Sequence, residues 1–167
     1  MPRTTAAGSA TAADTDIDAV TDAVLTASRL LVAVSARSVS AAGDLITLPQ
    51  FRLLVIVATR GPLKHVALAD YLGVNPSTAT RMVDRLVAVG MVSREHNPAS
   101  RREITVKLTA AGARIVRQVT ARRRKEIAKI VAKMPDTARS GLADVLSAFA
   151  RAGGEPPAGT TLETIWS

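Results

Sequence analysis

The sequence has no cysteine and only two histidines among its 167 residues. Without thiols there is no disulfide framework, no thiolate zinc site and no thiol redox sensor. His65 and His96 stand far apart, and neither belongs to a pair with metal-ligand spacing. His65 reads as a helix-start or surface residue and His96 as part of a strand. No Gly-rich phosphate loop of the Walker or dinucleotide type is present, and no nucleophile is matched to a base. Neither an enzyme nor a bound cofactor or metal is therefore expected. No apolar run reaches the roughly 18 residues of a spanning helix, and the first residues lack the apolar core of a secretion signal. The expectation is a soluble, cytoplasmic, nucleoid-associated protein with no membrane partner.

What the chain does have is ample apolar material and an uneven charge. Its hydrophobic content is 47%, enough for a sizeable core in one domain with an accessory arm. Residues 1 to 50 hold three basic and five acidic residues, and residues 134 to 167 hold two and four. Between 51 and 133 there are seventeen basic residues against five acidic ones. The net charge of +8 is thus concentrated in the middle of the chain, as on a face that meets nucleic acid.

In that basic middle, the stretch Val66 to Val87 reads as two helices with a short joint. The first carries Leu68 and Leu72 on one side, and Ala69 is small enough to let another helix come close. Gly73 supplies the backbone freedom needed to leave a helix. Asn75-Pro76 restarts one, because Asn caps free amides and Pro tolerates the first helical position. Helical periodicity then puts Ala79, Met82, Val83 and Leu86 on one side and Ser77, Arg81, Asp84 and Arg85 on the other. Two helices crossing over so short a turn form a helix-turn-helix, whose second helix can enter the DNA major groove with its N-terminal residues at base edges. An ordinary helical hairpin with a polar outer face is the alternative at this point.

The next residues decide between them. Gly90 closes the second helix, Met91 to His96 can form a strand, Asn97-Pro98-Ala99-Ser100 is turn chemistry, and Ile104 to Leu108 alternates apolar and polar residues as a second strand. A hairpin with Arg101 and Arg102 at its tip, directly after a recognition helix, is the wing of a winged helix. Its arginines suit the narrow minor groove, where negative potential is concentrated.

These features together resemble the MarR family of bacterial transcription regulators. The match runs through Leu68-Ala69, Leu72-Gly73-Val74, Pro76-Ser77-Thr78, Thr80-Arg81, Val83-Asp84-Arg85-Leu86 and Gly90-Met91-Val92, then Asn97-Pro98, Arg101-Arg102 and Leu108-Thr109-Ala110-Ala111-Gly112. Two positions depart from the family pattern. Ser100 stands where an acidic residue usually precedes the wing arginines, and Ala79 takes a place more often β-branched. The resemblance implies a mainly α fold with a small β-hairpin wing, and a dimerisation arm built from the N- and C-terminal helices.

The remaining chain fits that plan. Residues 1 to 13 hold nothing to bury and are expected to be disordered. Thr15 and Asp18 mark a helix start, with apolar residues at helical spacing to about Ser40; residues 14 to 46 make the N-terminal dimerisation helix and its linker. The winged helix-turn-helix domain is assigned to 47–112. It opens on Thr47-Leu48-Pro49-Gln50, a capping pattern before a nearly all-apolar central helix. Leu63-Lys64 is either loop or a small third strand. Thr109 caps a long helix to about Lys133, in which Arg122-Arg123-Arg124-Lys125 wrap the whole circumference, so at least one cation must approach the apolar side. Those four are either snorkelling surface side chains or contacts to phosphate or to a partner's acidic ends. Pro135-Asp136 restarts a final helix whose stripe is Leu142, Val145, Leu146 and Phe149; residues 113 to 153 are the C-terminal dimerisation helices. Residues 154 to 167 are a tail, in which Leu162, Ile165 and Trp166 are apolar enough to dock in a groove of the same chain or of a partner.

The functional expectation is a homodimer that binds a pseudo-palindromic double-stranded DNA operator, its recognition helices about one DNA turn apart. Ser77, Thr78, Thr80 and Arg81 are expected at base edges or nearby phosphates, and Arg81 can grip guanine with two bonds. Arg85 and Lys107 are assigned to phosphates, and Arg101 or Arg102 to the minor groove. The resemblance implies repression, and release by a small aromatic or anionic effector bound between the arm and the winged helix. The rival is a sequence-indifferent DNA architectural factor or a winged-helix protein-interaction module.

Overall fold

The computed structural model describes residues 8–43, 45–97 and 100–156, with backbone alone for 8–15, 97 and 100–103. Along these residues run α1 (Gly8–Ser40), α2 (Leu48–Arg60), β1 (Leu63–Lys64), α3 (His65–Leu72), α4 (Pro76–Ala88), β2 (Val92–Asn97), β3 (Ser100–Leu108), α5 (Ala110–Val131), α6 (Asp136–Arg139) and α7 (Leu142–Ala152). The fold is mainly helical with a small antiparallel wing, as the sequence predicts. No helix among the described residues is long and apolar enough to cross a membrane.

The centre is α2. Thr47 caps it through a reciprocal pair, in which Gln50 N donates to Thr47 Oγ1 at 3.4 Å and Thr47 N donates to Gln50 Oε1 at 2.8 Å. This satisfies two amides that a helix start leaves free. With its entry fixed, α2 buries Phe51, Leu53, Leu54, Ile56, Val57 and Ala58. Around them pack Leu68 of α3, Val83 and Leu86 of α4, Val106 of β3, and Val116 and Val119 of α5 in one continuous core.

Leu63-Lys64, which the sequence leaves as loop or strand, is a strand. It pairs with β3 in the register Leu63↔Val106, and β3 pairs in turn with β2, so the sheet order is β1-β3-β2. The wing strand β3 starts at Ser100, four residues before the expected Ile104. The ladder reaches past the apolar alternation because Asn97 pairs with Ser100, beyond an irregularity in register between His96 and Asn97.

Two boundaries correct the sequence reading. Helix α1 begins at Gly8, so residues 8–13, expected to be disordered, are helical; Ala10, Ala12 and Ala13 lose no side-chain entropy in a helix and extend it towards the N-terminus. Residues 1–7 lie outside the described chain, as do 157–167. The expected single final helix is two, because the chain breaks between α6 and α7 at Gly141 in the left-handed conformation, φ 76°.

Burial within one chain stops short of both ends. On α1, Val34, Ser35, Ser38 and Val39 are buried, whereas Ile17, Val20 and Leu25 are exposed. No residue of α7 is buried, and Val145, Leu146 and Phe149 are 65%, 55% and 57% exposed. Late in α5, Ile127 and Ile130 are half-buried and Val131 is exposed. A polar tie from the C-terminal arm to the domain surface is made at Arg60. Its Nη2 donates to Gly154 O at 3.0 Å while its guanidinium lies 4.0 Å from the centre of the Tyr71 ring.

Candidate nucleic-acid interface

The joint between α3 and α4 follows from local chemistry. Gly73 adopts the left-handed conformation, φ 67° and ψ 34°, which lets Gly73 N and Val74 N reach back to Asp70 O and Ala69 O, each at 3.1 Å. Asn75 then caps α4, its Oδ1 accepting from Thr78 N at 2.8 Å. On the inner face of α4, Ala79, Val83 and Leu86 are each 0% exposed, and Met82, expected on the same side, is half-buried. Small Ala79 at this contact permits the close crossing over α3 that a helix-turn-helix requires.

The outer face is open. Ser77, Thr80, Arg81 and Arg85 are exposed and Thr78 is half-buried. The hydroxyls are ordered by the first turn itself. Ser77 Oγ donates to Asn75 Oδ1 at 2.8 Å, and Thr80 Oγ1 donates to Pro76 O at 2.9 Å. Arg81 Nη2 leans back to Thr78 Oγ1 at 3.4 Å, a long contact that a stronger acceptor can replace.

The wing is fastened to this helix by an ion pair from Arg94 of β2 to Asp84 of α4. Asp84 therefore neutralises a cation beside α4 and fixes the wing's base. His65, at the start of α3, is held below its ordinary pKa by partial burial, then by the Arg94 charge, with Asp84 acting in the opposite sense. On the wing, Lys107 is exposed and pairs with Glu95 at 3.4 Å. Arg101 and Arg102 lie in the backbone of β3; their side chains fall outside the described residues. Among the described residues, no three His, Cys, Asp or Glu side chains converge as a metal site would require.

The structure thus brings Ser77, Thr78, Thr80, Arg81 and Arg85 onto one helix and sets Lys107 on the adjoining strand. It also shows a pairing that the sequence did not single out. Asp84 and Arg94 stand ten positions apart in different elements, and their pairing is set by packing rather than by spacing. Of the four consecutive cations of α5, Arg123 is the one that turns inward, a helical step from buried Val116 and Val119. Its Nε is buried without a hydrogen-bond partner among the described residues, and desolvation lowers the guanidinium pKa. Arg123 lines a cavity of about 740 Å³ between α1, α2, α5 and the helix-turn-helix, walled by Leu31, Phe51, Val55 and Met82, with Glu155 at its edge.

Comparison with known proteins gives a consistent picture. The MarR family model matches residues 46–104. The multiple antibiotic resistance protein MarR of Escherichia coli (strain K12) is 41% identical over 73 residues, 44% of this chain and 51% of that protein. The HTH-type transcriptional repressor MdtR of Bacillus subtilis is 29% identical over 107 residues, 64% of this chain and 69% of that protein. This chain spans about half the length of the first of these curated relatives. Among solved structures, RV1404 from Mycobacterium tuberculosis superposes with a TM-score of 0.79 at 53% identity, covering 85% of this chain and 97% of that one.

Proposed function

The chain belongs to the MarR family, and from that premise we propose that it is a transcription regulator which reads a pseudo-palindromic operator as a homodimer and represses the genes beside it. One observation carries this reading: α4 buries Ala79, Val83 and Leu86 on one face and leaves hydroxyl and guanidinium groups uncovered on the other, at the end that a recognition helix offers to bases. Ser77, Thr78, Thr80 and Arg81 are the proposed base and nearby phosphate contacts. Arg85 and Lys107 hold phosphates, and Arg101 or Arg102 enters the minor groove. The concentration of basic residues between 51 and 133 supports the same assignment.

Dimerisation is supported by the uncovered apolar residues of α1 and α7, which a second copy would bury. The repressor assignment is supported by the printed role of the Bacillus subtilis relative. The cavity at the junction of arm and winged helix is of small-ligand size, and inward-turned Arg123 suits an aromatic or anionic effector. Such a ligand changes operator binding to the extent that it favours one separation of the two winged helices over another. The protein would act in the cytoplasm, where bacterial DNA lies.

Selection of binding sites from random DNA at physiological salt tests the proposal. Enrichment of an inverted repeat with half-sites about one helical turn apart is the expected result. Salt-sensitive binding without enrichment would make the protein an architectural factor, and no DNA binding would leave a protein-interaction module.

A further inference from the structure

The cavity walled by Leu31, Phe51, Val55 and Met82 has a feature that an open surface groove does not need: a buried guanidinium atom, Arg123 Nε, with no partner among the described residues. A buried donor left unpaired costs free energy, so a group that can accept from it is favoured there. Glu155 stands at the same cavity. The chain is anchored just before it, because Gly154 O accepts from Arg60 and Glu155 N donates to Ala150 O at 2.9 Å. The segment that follows therefore starts from a fixed point at the cavity's edge.

That segment, residues 157–167, lies outside the described chain, but its sequence is Pro-Ala-Gly-Thr-Thr-Leu-Glu-Thr-Ile-Trp-Ser. It concentrates three large apolar residues, Leu162, Ile165 and Trp166, around a single acidic side chain, Glu163. The apolar wall carries two cations, Arg52 and Arg123, against one carboxylate, Glu155, at its edge, so its charge is left positive and is complementary to apolar residues with an acidic side chain among them. Reach is sufficient, since an extended chain spans roughly 3.3 Å per residue and Leu162 stands seven residues past Glu155.

We propose that Leu162 to Trp166 seats in this cavity of its own subunit, with Ile165 and Trp166 against the apolar wall and the Glu163 carboxylate at Arg123. The tail is then a built-in occupant that any effector must displace. That regulatory meaning rests on the effector reading above, whereas the docking itself does not.

Trp166 is the only tryptophan in the chain, so its fluorescence reports the tail alone, without DNA or effector. In the full chain its emission should lie to the blue of free tryptophan and resist acrylamide. Val55→Arg in the wall, and separately Glu163→Gln in the tail, should move the emission to the red and raise quenching several-fold. The tail variant leaves the folded core untouched, so it keeps its meaning if the wall variant fails to fold. The doubly substituted tail Ile165→Ser/Trp166→Ser should bind 8-anilinonaphthalene-1-sulfonate about tenfold tighter than the native chain, if the tail is seated about nine-tenths of the time. Emission like that of free tryptophan in the native chain would overturn the proposal, as would dye binding unchanged by the tail substitutions. Shielding that disappears on dilution to single subunits would assign the tail to the partner instead and equally overturn docking in its own subunit. Operator binding, measured on the same samples, is judged separately.

Discussion

A β-carbon on Gly112 would stand 2.1 Å from the carbonyl oxygen of Met91, closer than any side chain can come to backbone. The approach is produced by Thr109, whose Oγ1 donates to Gly90 O at 2.7 Å and accepts from Gly112 N at 3.1 Å. One hydroxyl thus caps α5 and ties it to the turn between α4 and the wing. Gly112→Ala must push these elements apart, and it should cost about 1–3 kcal/mol by overpacking. Equilibrium denaturation would read the loss; a variant as stable as the parent would show that the junction yields freely.

Arg81→Ala should leave the folded domain intact, because the side chain is exposed and its contact to Thr78 is long. On the selected operator it should cost about 1–3 kcal/mol and relax preference at one base position. Equal loss on operator and random duplex would move Arg81 from base reading to phosphate holding.

Lys107→Ala should behave differently. An exposed lysine that exchanges Glu95 for a phosphate adds affinity without sequence preference, so operator and random DNA should weaken together. The slope of log affinity against log salt should fall by about 1. An unchanged slope would mean that Lys107 stays with Glu95 in the complex.

His65 ties stability to pH. Burial and Arg94 hold its pKa below the ordinary 6.5, so the folded chain binds fewer protons there than the unfolded chain as pH falls through that region. The folded state carries no penalty from this residue well above pH 6.5 and loses stability as the pH drops below it. His65→Gln should flatten the dependence of unfolding free energy on pH between about 7 and 5. A slope that survives the substitution would assign the acid sensitivity to other groups.

Leu146→Asp combined with Phe149→Asp places two carboxylates on the uncovered face of α7. Sedimentation should then find single subunits at concentrations where the parent chain pairs, with operator affinity reduced because the two half-sites no longer bind as one unit. A parent chain that is already single would remove the basis for the paired operator.

Helix α4 is legible because each local choice agrees with the next. Gly73 can turn, Asn75 can cap, Pro76 can start, and the apolar spacing of Ala79, Val83 and Leu86 selects one buried face. The Thr47 and Thr109 caps were legible for the same reason, since both act within three or four residues. Contacts made by packing were not. Asp84 finds Arg94 only once β2 folds back beside α4, and nothing in either neighbourhood announces the pair. Periodicity did require that one cation among Arg122 to Lys125 face inward, but only the crossing of α1, α2 and α5 selects Arg123. The start of α1 is not legible, because small residues without an apolar stripe carry no periodic signal, although alanine favours a helix by itself. The break at Gly141 was missed because the apolar spacing of α7 continues the pattern expected of an uninterrupted final helix.

The hydroxyl hydrogens of Ser77 and Thr80 are already committed, one to the Asn75 side chain and the other to the Pro76 carbonyl. What these two residues offer outward is lone pairs, so whatever meets them must bring a hydrogen of its own. On a base edge in the major groove that means the amino group of adenine or cytosine, whereas guanine and thymine present acceptors, which suit Arg81 instead. The first turns of α4 therefore divide the labour by polarity, with groups that take hydrogens set beside one that gives them.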